Sequence, residues 1–274
     1  QVSLDASSSV AQSLKDLVLI NGFRGLEVLP NSDAPYYFQP GNPFMNKLNE
    51  IGITNSAVAT VAMFGEGGGL LSSIFQWLLT VKLAKQIEDT FREIEKNQPG
   101  KAYVPLAYSG AGNPLLFALA DPTLNYHDFG VKTAIMVGAP FYDIDTNIKQ
   151  GSLERIINIY GTDDPGLYSP STLPRIQKRF TSSVRPLETI NIELKDIGHI
   201  EYFYQNGENP TPEQIKASSF IARLSQKALN PVELELFLEN FNSTKTDYTD
   251  PITGLKHMIR TYVIDTKNIP GALS

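Results

Sequence analysis

The chain has 274 residues, 42% of them hydrophobic and 19% charged, with a net charge of −6 at pH 7. That length suits one large α/β domain or two small ones with a sizeable core, and the acidic balance supplies no basic footprint for nucleic acid. The lack of cysteine excludes disulfides, thiolate catalysis and cysteine–zinc sites, and no apolar run reaches the length of a bilayer span. A chain beginning at Gln1 rather than Met reads as a processed chain or a piece of a longer one.

Residues 1–13 are polar and Ser-rich and read as loose. Residues 16–20 form a short apolar run closed by Asn21-Gly22, the pattern of a buried strand. A Pro- and Tyr-containing loop is expected over 30–43, a short helix over 43–51 and a second buried strand over 57–64. Gly65-Glu66-Gly67-Gly68-Gly69 is a turn rather than a nucleotide loop, because Leu70 occupies the last glycine position of a dinucleotide fingerprint and no Walker lysine follows. From residue 70 to 97 apolar side chains recur at helical spacing until Pro99-Gly100 stops them. Further strands are expected at 102–108, 131–137, 155–160 and 189–194, with amphipathic helices at 211–229 and 231–241. Short apolar strands alternating with helices or long crossovers predict a mostly parallel sheet with helices on both faces. The main domain is expected over 14–242, and 243–274 reads as a tail or edge strand, with 258–264 the strand-like part.

In such a sheet, functional groups collect at the carboxyl ends of the strands. The third strand ends in Ala107-Tyr108-Ser109-Gly110-Ala111, with small residues two before and two after a lone serine. A sharp strand–turn–helix corner has this form, since larger side chains at those positions collide across the turn. Later strand ends carry Gly161-Thr162-Asp163-Asp164 and Gly198-His199. Serine, acid and histidine follow in that order, each beside a glycine. The other histidines, His127 and His257, read as structural, and no ligand cluster for a metal appears.

These motifs resemble those of the α/β-hydrolase family of lipases and esterases, over roughly residues 16–230. The resemblance implies a hydrolase-type sheet lacking the family's first two strands. It assigns Ser109 as nucleophile, His199 as general base and Asp164 as the orienting acid, on the family's Gly-x-x-Asp spacing, with Asp163 the alternative acid. Asn21-Gly22-Phe23-Arg24-Gly25 resembles the oxyanion loop, with Asn21 in place of the usual histidine. The oxyanion donors would then be the backbone N–H groups of Phe23 and Gly110. No cofactor is implied. The implied partner is a small-molecule ester or a lipid, with peripheral contact to a lipid surface, and a secreted or cell-envelope setting is favoured over the cytoplasm.

Two other outcomes stay open on the residues alone: a binding domain that keeps a hydrolase scaffold without catalysis, and acyl transfer from an amide or thioester on the same triad. Aromatics flanking strand ends (Tyr36, Tyr37, Phe38, Tyr168, Tyr202, Phe203 and Tyr204) would line an acyl pocket or simply pack the core. Tyr248-Thr249-Asp250-Pro251-Ile252-Thr253-Gly254-Leu255 faintly resembles motifs of large bacterial repeat-containing surface proteins, and equally suits a turn into an edge strand.

Overall fold

The computed structural model describes residues 16–21, 36–53, 56–59, 70–120, 129–139, 141–142, 153–164, 176–177, 188–203, 210–249, 254 and 256–271. In chain order the strands are β1 (Leu17–Ile20), β2 (Ser56–Ala59), β3 (Val104–Tyr108), β4 (Thr133–Val137), β5 (Phe141–Tyr142), β6 (Arg155–Gly161), β7 (Ile176–Gln177), β8 (Glu188–Lys195), β9 (Ser243–Thr249) and β10 (Lys256–Asp265). The helices are α1 (Pro43–Glu50), α2 (Leu70–Asn97), α3 (Gly112–Ala120), α4 (Pro212–Lys227) and α5 (Pro231–Leu238). Among the described residues these build an eight-stranded sheet of order β2-β1-β3-β4-β6-β8-β10-β9, and β5 and β7 form a separate pair. Seven strands of the large sheet run parallel and β9 alone is antiparallel. This is the α/β class that the alternating strands and helices predict.

The two-residue period of the strands divides the core into two layers. Leu17 and Leu19 of β1 join Leu106, Ile157, Ile192 and the buried faces of α1, α4 and α5. Val18 and Ile20 point the other way, to Ala107, Met136, Ile156 and the α2 and α3 residues Ile87, Phe91 and Leu115. Helices therefore cover both faces, and the four β1 side chains are fully buried. Such a strand carries an unbroken apolar run instead of an alternating one.

Local chemistry sets the helix starts. α1, α4 and α5 each have proline in the first turn behind Asn42, Thr211 and Asn230 caps. Proline is suited there because its missing N–H and fixed φ cost nothing at the first helical position. Thr211 Oγ1 accepts from the Gln214 backbone N–H at 3.2 Å, and Gln214 Oε1 accepts from the Thr211 N–H at 3.0 Å. α2 stops at Asn97 ahead of Gly100, whose φ of +78° suits only glycine without strain.

The C-terminal region departs from the sequence expectation. The strand expected over 258–264 runs Lys256–Asp265 but is not the edge. It pairs in parallel with β8 over eight residues, and the outermost position belongs to Ser243–Thr249. β9 reads Ser-Thr-Lys-Thr-Asp-Tyr-Thr and has no apolar alternation to reveal it. Its antiparallel hydrogen bonding to β10 decides its conformation, and a polar edge also discourages pairing with other chains.

Candidate active site

The strand order reverses direction between β1 and β3, because α1 carries the chain from β1 to β2 on one side and α2 returns it past β1 to β3. Crevices at such a switch point, outside the carboxyl ends of the strands, are where this architecture places ligands. Ser109 stands there, directly after β3. Its φ is +54°, a left-handed conformation that a non-glycine residue holds only under strain. The chain then turns through the 3-10 segment Ser109–Ala111 into α3.

Small residues are needed around this corner. Ala107 and Ala111 are fully buried. A Cβ on Gly112 would lie 2.5 Å from the Ala139 Cβ, so the first residue of α3 has to be glycine for the helix to approach the end of β4. The sequence pattern located the corner by Ala107 and Ala111. The close approach at Gly112 comes from a neighbour 27 positions later in the chain, and no local spacing encodes it.

Ser109 Oγ lies 2.7 Å from His199 Nε2. His199 Nδ1 lies 2.9 Å from both Asp164 Oδ1 and Asp164 Oδ2. A carboxylate only accepts, so Nδ1 carries the ring proton and Nε2 is left to accept from the serine hydroxyl. Asp164 is fully buried, Ser109 is 9% exposed and the His199 side chain is 24% exposed. The array is thus closed at its acid end, buried at its serine and most exposed at the imidazole.

Of the two candidate acids, Asp164 faces the imidazole and Asp163 does not. Asp163 is exposed, and its Oδ1 accepts from Thr162 Oγ1 at 3.0 Å. Its backbone N–H instead ties the β6 end to the β8 end through the Ile197 carbonyl, 3.2 Å away. The acid loop and the histidine loop are joined again by the Thr162 N–H to Leu194 O and by the Asp196 N–H to Thr162 Oγ1. These cross-loop bonds hold two groups 35 positions apart in register.

The histidine is held from several sides. The Tyr108 hydroxyl donates to the His199 carbonyl at 2.6 Å, and its ring lies 5.3 Å from the imidazole at 27°. The Glu201 carboxylate accepts from the Gly198 N–H and from the Gln214 side-chain amide. Asn42 Nδ2 donates to the Phe203 carbonyl at 2.9 Å. Neither Tyr108 nor Asn42 carries a sequence signal for this role. Tyr108 occupies the variable position of the serine corner, and Asn42 reads as a helix cap, which it also is.

Of the flanking aromatics, Tyr37, Phe38, Tyr202 and Phe203 are buried. Phe203 packs on Phe44 at 4.7 Å, Tyr108 at 5.1 Å and Phe38 at 5.4 Å between ring centroids. These rings pack against one another in the core beside the site. Burying one such ring contributes about 1.5–3 kcal/mol, which fixes the platform on which the histidine loop rests.

Gly110 follows the serine at the start of the helical segment, where backbone N–H groups have no intrahelical partner. Phe23, the Gly65–Gly69 turn, His127, Tyr168, Tyr204 and the side chain of Tyr36 lie outside the described residues. Asn21 is fully buried at the end of β1, and His257 is buried within β10. Among the described residues no group of three or more His, Asp or Glu is arranged to hold a metal, and no helix is long and apolar enough to cross a membrane.

No protein-family model matches this chain, and no curated protein matches it.

Proposed function

We propose that this protein is a serine hydrolase of the α/β-hydrolase type that cleaves carboxylic esters through an acyl-enzyme. One observation carries the reading: the continuous hydrogen-bonded array Ser109–His199–Asp164, with the serine on a strained corner at the carboxyl end of a central parallel strand. A core serine with a structural role has no need of φ +54° or of an imidazole 2.7 Å away.

The chemistry follows from the donor and acceptor roles. Ser109 Oγ attacks the ester carbonyl carbon as His199 Nε2 takes its proton, and Asp164 stabilises the imidazolium through Nδ1–H. The resulting oxyanion is held by the backbone N–H of Gly110 and, in this reading, by that of Phe23. Losing such a donor typically costs about 3 kcal/mol. Nε2–H protonates the leaving alkoxide, and the acyl group stays on Ser109. A water then gives its proton to Nε2 and attacks the acyl carbon, and Ser109 leaves with the proton restored. The substrate class is a small-molecule ester or a lipid.

Hydrolysis of p-nitrophenyl esters from acetate to palmitate tests the proposal. The expected result is turnover that disappears in Ser109→Ala, with the preferred chain length separating a small-ester esterase from a lipase. Hydrolysis that survives in a folded Ser109→Ala protein would overturn it. Absence of hydrolysis in the wild type points to the non-catalytic scaffold, and turnover of amides or thioesters alone points to the other acyl chemistry.

A further inference from the structure

We infer that Tyr202 is a positioning residue that fixes the carboxylate of Asp164 and, through it, the imidazole of His199. This rests on the serine-hydrolase reading above and extends it to a residue outside the triad.

The geometry sets a one-way chain of hydrogen bonds. The Tyr202 hydroxyl accepts from the backbone N–H of Gly161 and lies 2.9 Å from Asp164 Oδ2. An N–H group only donates, so the single phenolic proton is directed at the carboxylate. Burial, then the adjacent Asp164 charge and the hydrogen bond to it, hold the phenol well above its ordinary value, so it stays a donor at every pH at which the protein works.

Asp164 needs such a partner. Both its oxygens sit 2.9 Å from Nδ1, so the bond to histidine alone does not choose between them or fix the rotation of the carboxylate plane. The bond from Tyr202 reaches Oδ2 only. It anchors one oxygen and with it the rotation of the carboxylate plane, whose two oxygens both face the ring nitrogen.

The fold makes a slot for this ring. A Cβ on Gly138, at the end of β4, would lie 2.6 Å from Tyr202 Cε2 and 3.2 Å from Asp164 Oδ2. A Cβ on Gly161, at the end of β6, would lie 1.9 Å from the Ile197 carbonyl oxygen and 3.0 Å from the Tyr202 hydroxyl. Two neighbouring strands therefore end in glycines that leave the ring its space. The 3-10 turn His199–Glu201 brings the histidine and the tyrosine, three positions on, to the same side of the chain. The Tyr202 ring then meets the imidazole edge-on at 6.4 Å and 80°. The other charged groups nearby are engaged elsewhere: Glu201 with Gly198 and Gln214, Asp196 with Lys267, and Asp163 at the surface.

The test compares Tyr202→Phe with wild type in two backgrounds, alone and with Asp164→Asn. Tyr202→Phe is expected to lower kcat and the rate of Ser109 phosphonylation by about tenfold, with KM changed less than about twofold. The downfield proton resonance of the His199 Nδ1–H should shift or broaden. In the Asp164→Asn background the same substitution should change these readouts by less than about twofold. An unchanged rate and resonance in folded Tyr202→Phe, or an equal loss in both backgrounds, overturns the inference. Should Tyr202→Phe not fold, Asp164→Ala decides, because it removes the acceptor: the Tyr202 hydroxyl proton must exchange faster with solvent than in wild type, and equal exchange overturns the inference. The proton resonances need no turnover. A wild-type chain whose Ser109 resists phosphonylation therefore defeats the hydrolase reading, separately from any failure at Tyr202.

Discussion

The two ends of the sheet both bury polar groups, and they do it differently. At the amino ends of β6 and β8, Arg155 and, from the middle of β10, Arg260 meet the carboxylate of Glu188, and Arg260 also grips Glu235 of α5 through two bonds of 2.6 and 2.7 Å. Opposite charges are neutralised there, and the result is register and stability. At the carboxyl ends a serine sits at φ +54°, glycines make room for a tyrosine ring, and an imidazole is left partly open to solvent. Backbone strain is held at the end where Ser109, His199 and Asp164 meet, not where the ions pair. Substitutions at the carboxyl end should therefore cost activity without stability, and those at the amino end the reverse.

The largest effects belong to the carboxyl end. Asp164→Asn should lower kcat by about 10⁴-fold, because the neutral amide no longer holds the imidazole proton on Nδ1. Unfolding by urea should change far less than this, and a comparable collapse of stability would erase the distinction between the ends. Next comes the ion cluster. Glu188→Ala leaves Arg155 and the almost fully buried Arg260 short of an acceptor, and should cost about 2 kcal/mol of stability with kcat kept within about twofold.

A smaller effect isolates the strain. Ser109→Ala and Ser109→Gly should be equally inactive, yet the glycine variant should be more stable by about 1 kcal/mol in urea, because only glycine holds a positive φ freely. Equal stabilities would mean that the corner is relaxed.

The smallest concerns pH. The hydrogen bond from Arg260 holds the Glu235 carboxyl below its ordinary value. Its contribution is present above the unfolded glutamate value of about 4.3 and is lost as pH falls through the lower folded value. The carboxylate is 44% exposed, so solvent screening keeps the contribution under about 1 kcal/mol. Glu235→Gln should flatten this part of the acid limb of stability while leaving turnover at neutral pH unchanged.

Much of this division was legible in the sequence, and the remainder was hidden for identifiable reasons. Apolar runs such as 17–20 and 133–137 declared buried strands because both faces of those strands are covered. The order of Ser109, Asp164 and His199 at strand ends proposed a site, and the structure brings the three within hydrogen-bonding distance. β9 stayed hidden because an edge strand of polar residues has no period to read. The bond from Tyr202 to the acid stayed hidden, although the ring itself was marked as flanking a strand end, because its partners, Gly161 and Asp164, lie some 40 positions away and meet it only after β6 and β8 pair. The Arg155–Glu188–Arg260 cluster likewise depends on register, which no single segment encodes.

The most direct test of the central claim is the covalent one. Wild type and Ser109→Ala are treated with a fluorophosphonate, and the adduct is mapped by mass spectrometry of the peptide spanning Ser109. One phosphonyl adduct on Ser109 is expected in the wild type, formed far more slowly in Asp164→Asn and absent in Ser109→Ala. A folded wild-type chain that gains no adduct, or gains it at another serine and keeps it in Ser109→Ala, would contradict the claim that this corner is a nucleophile.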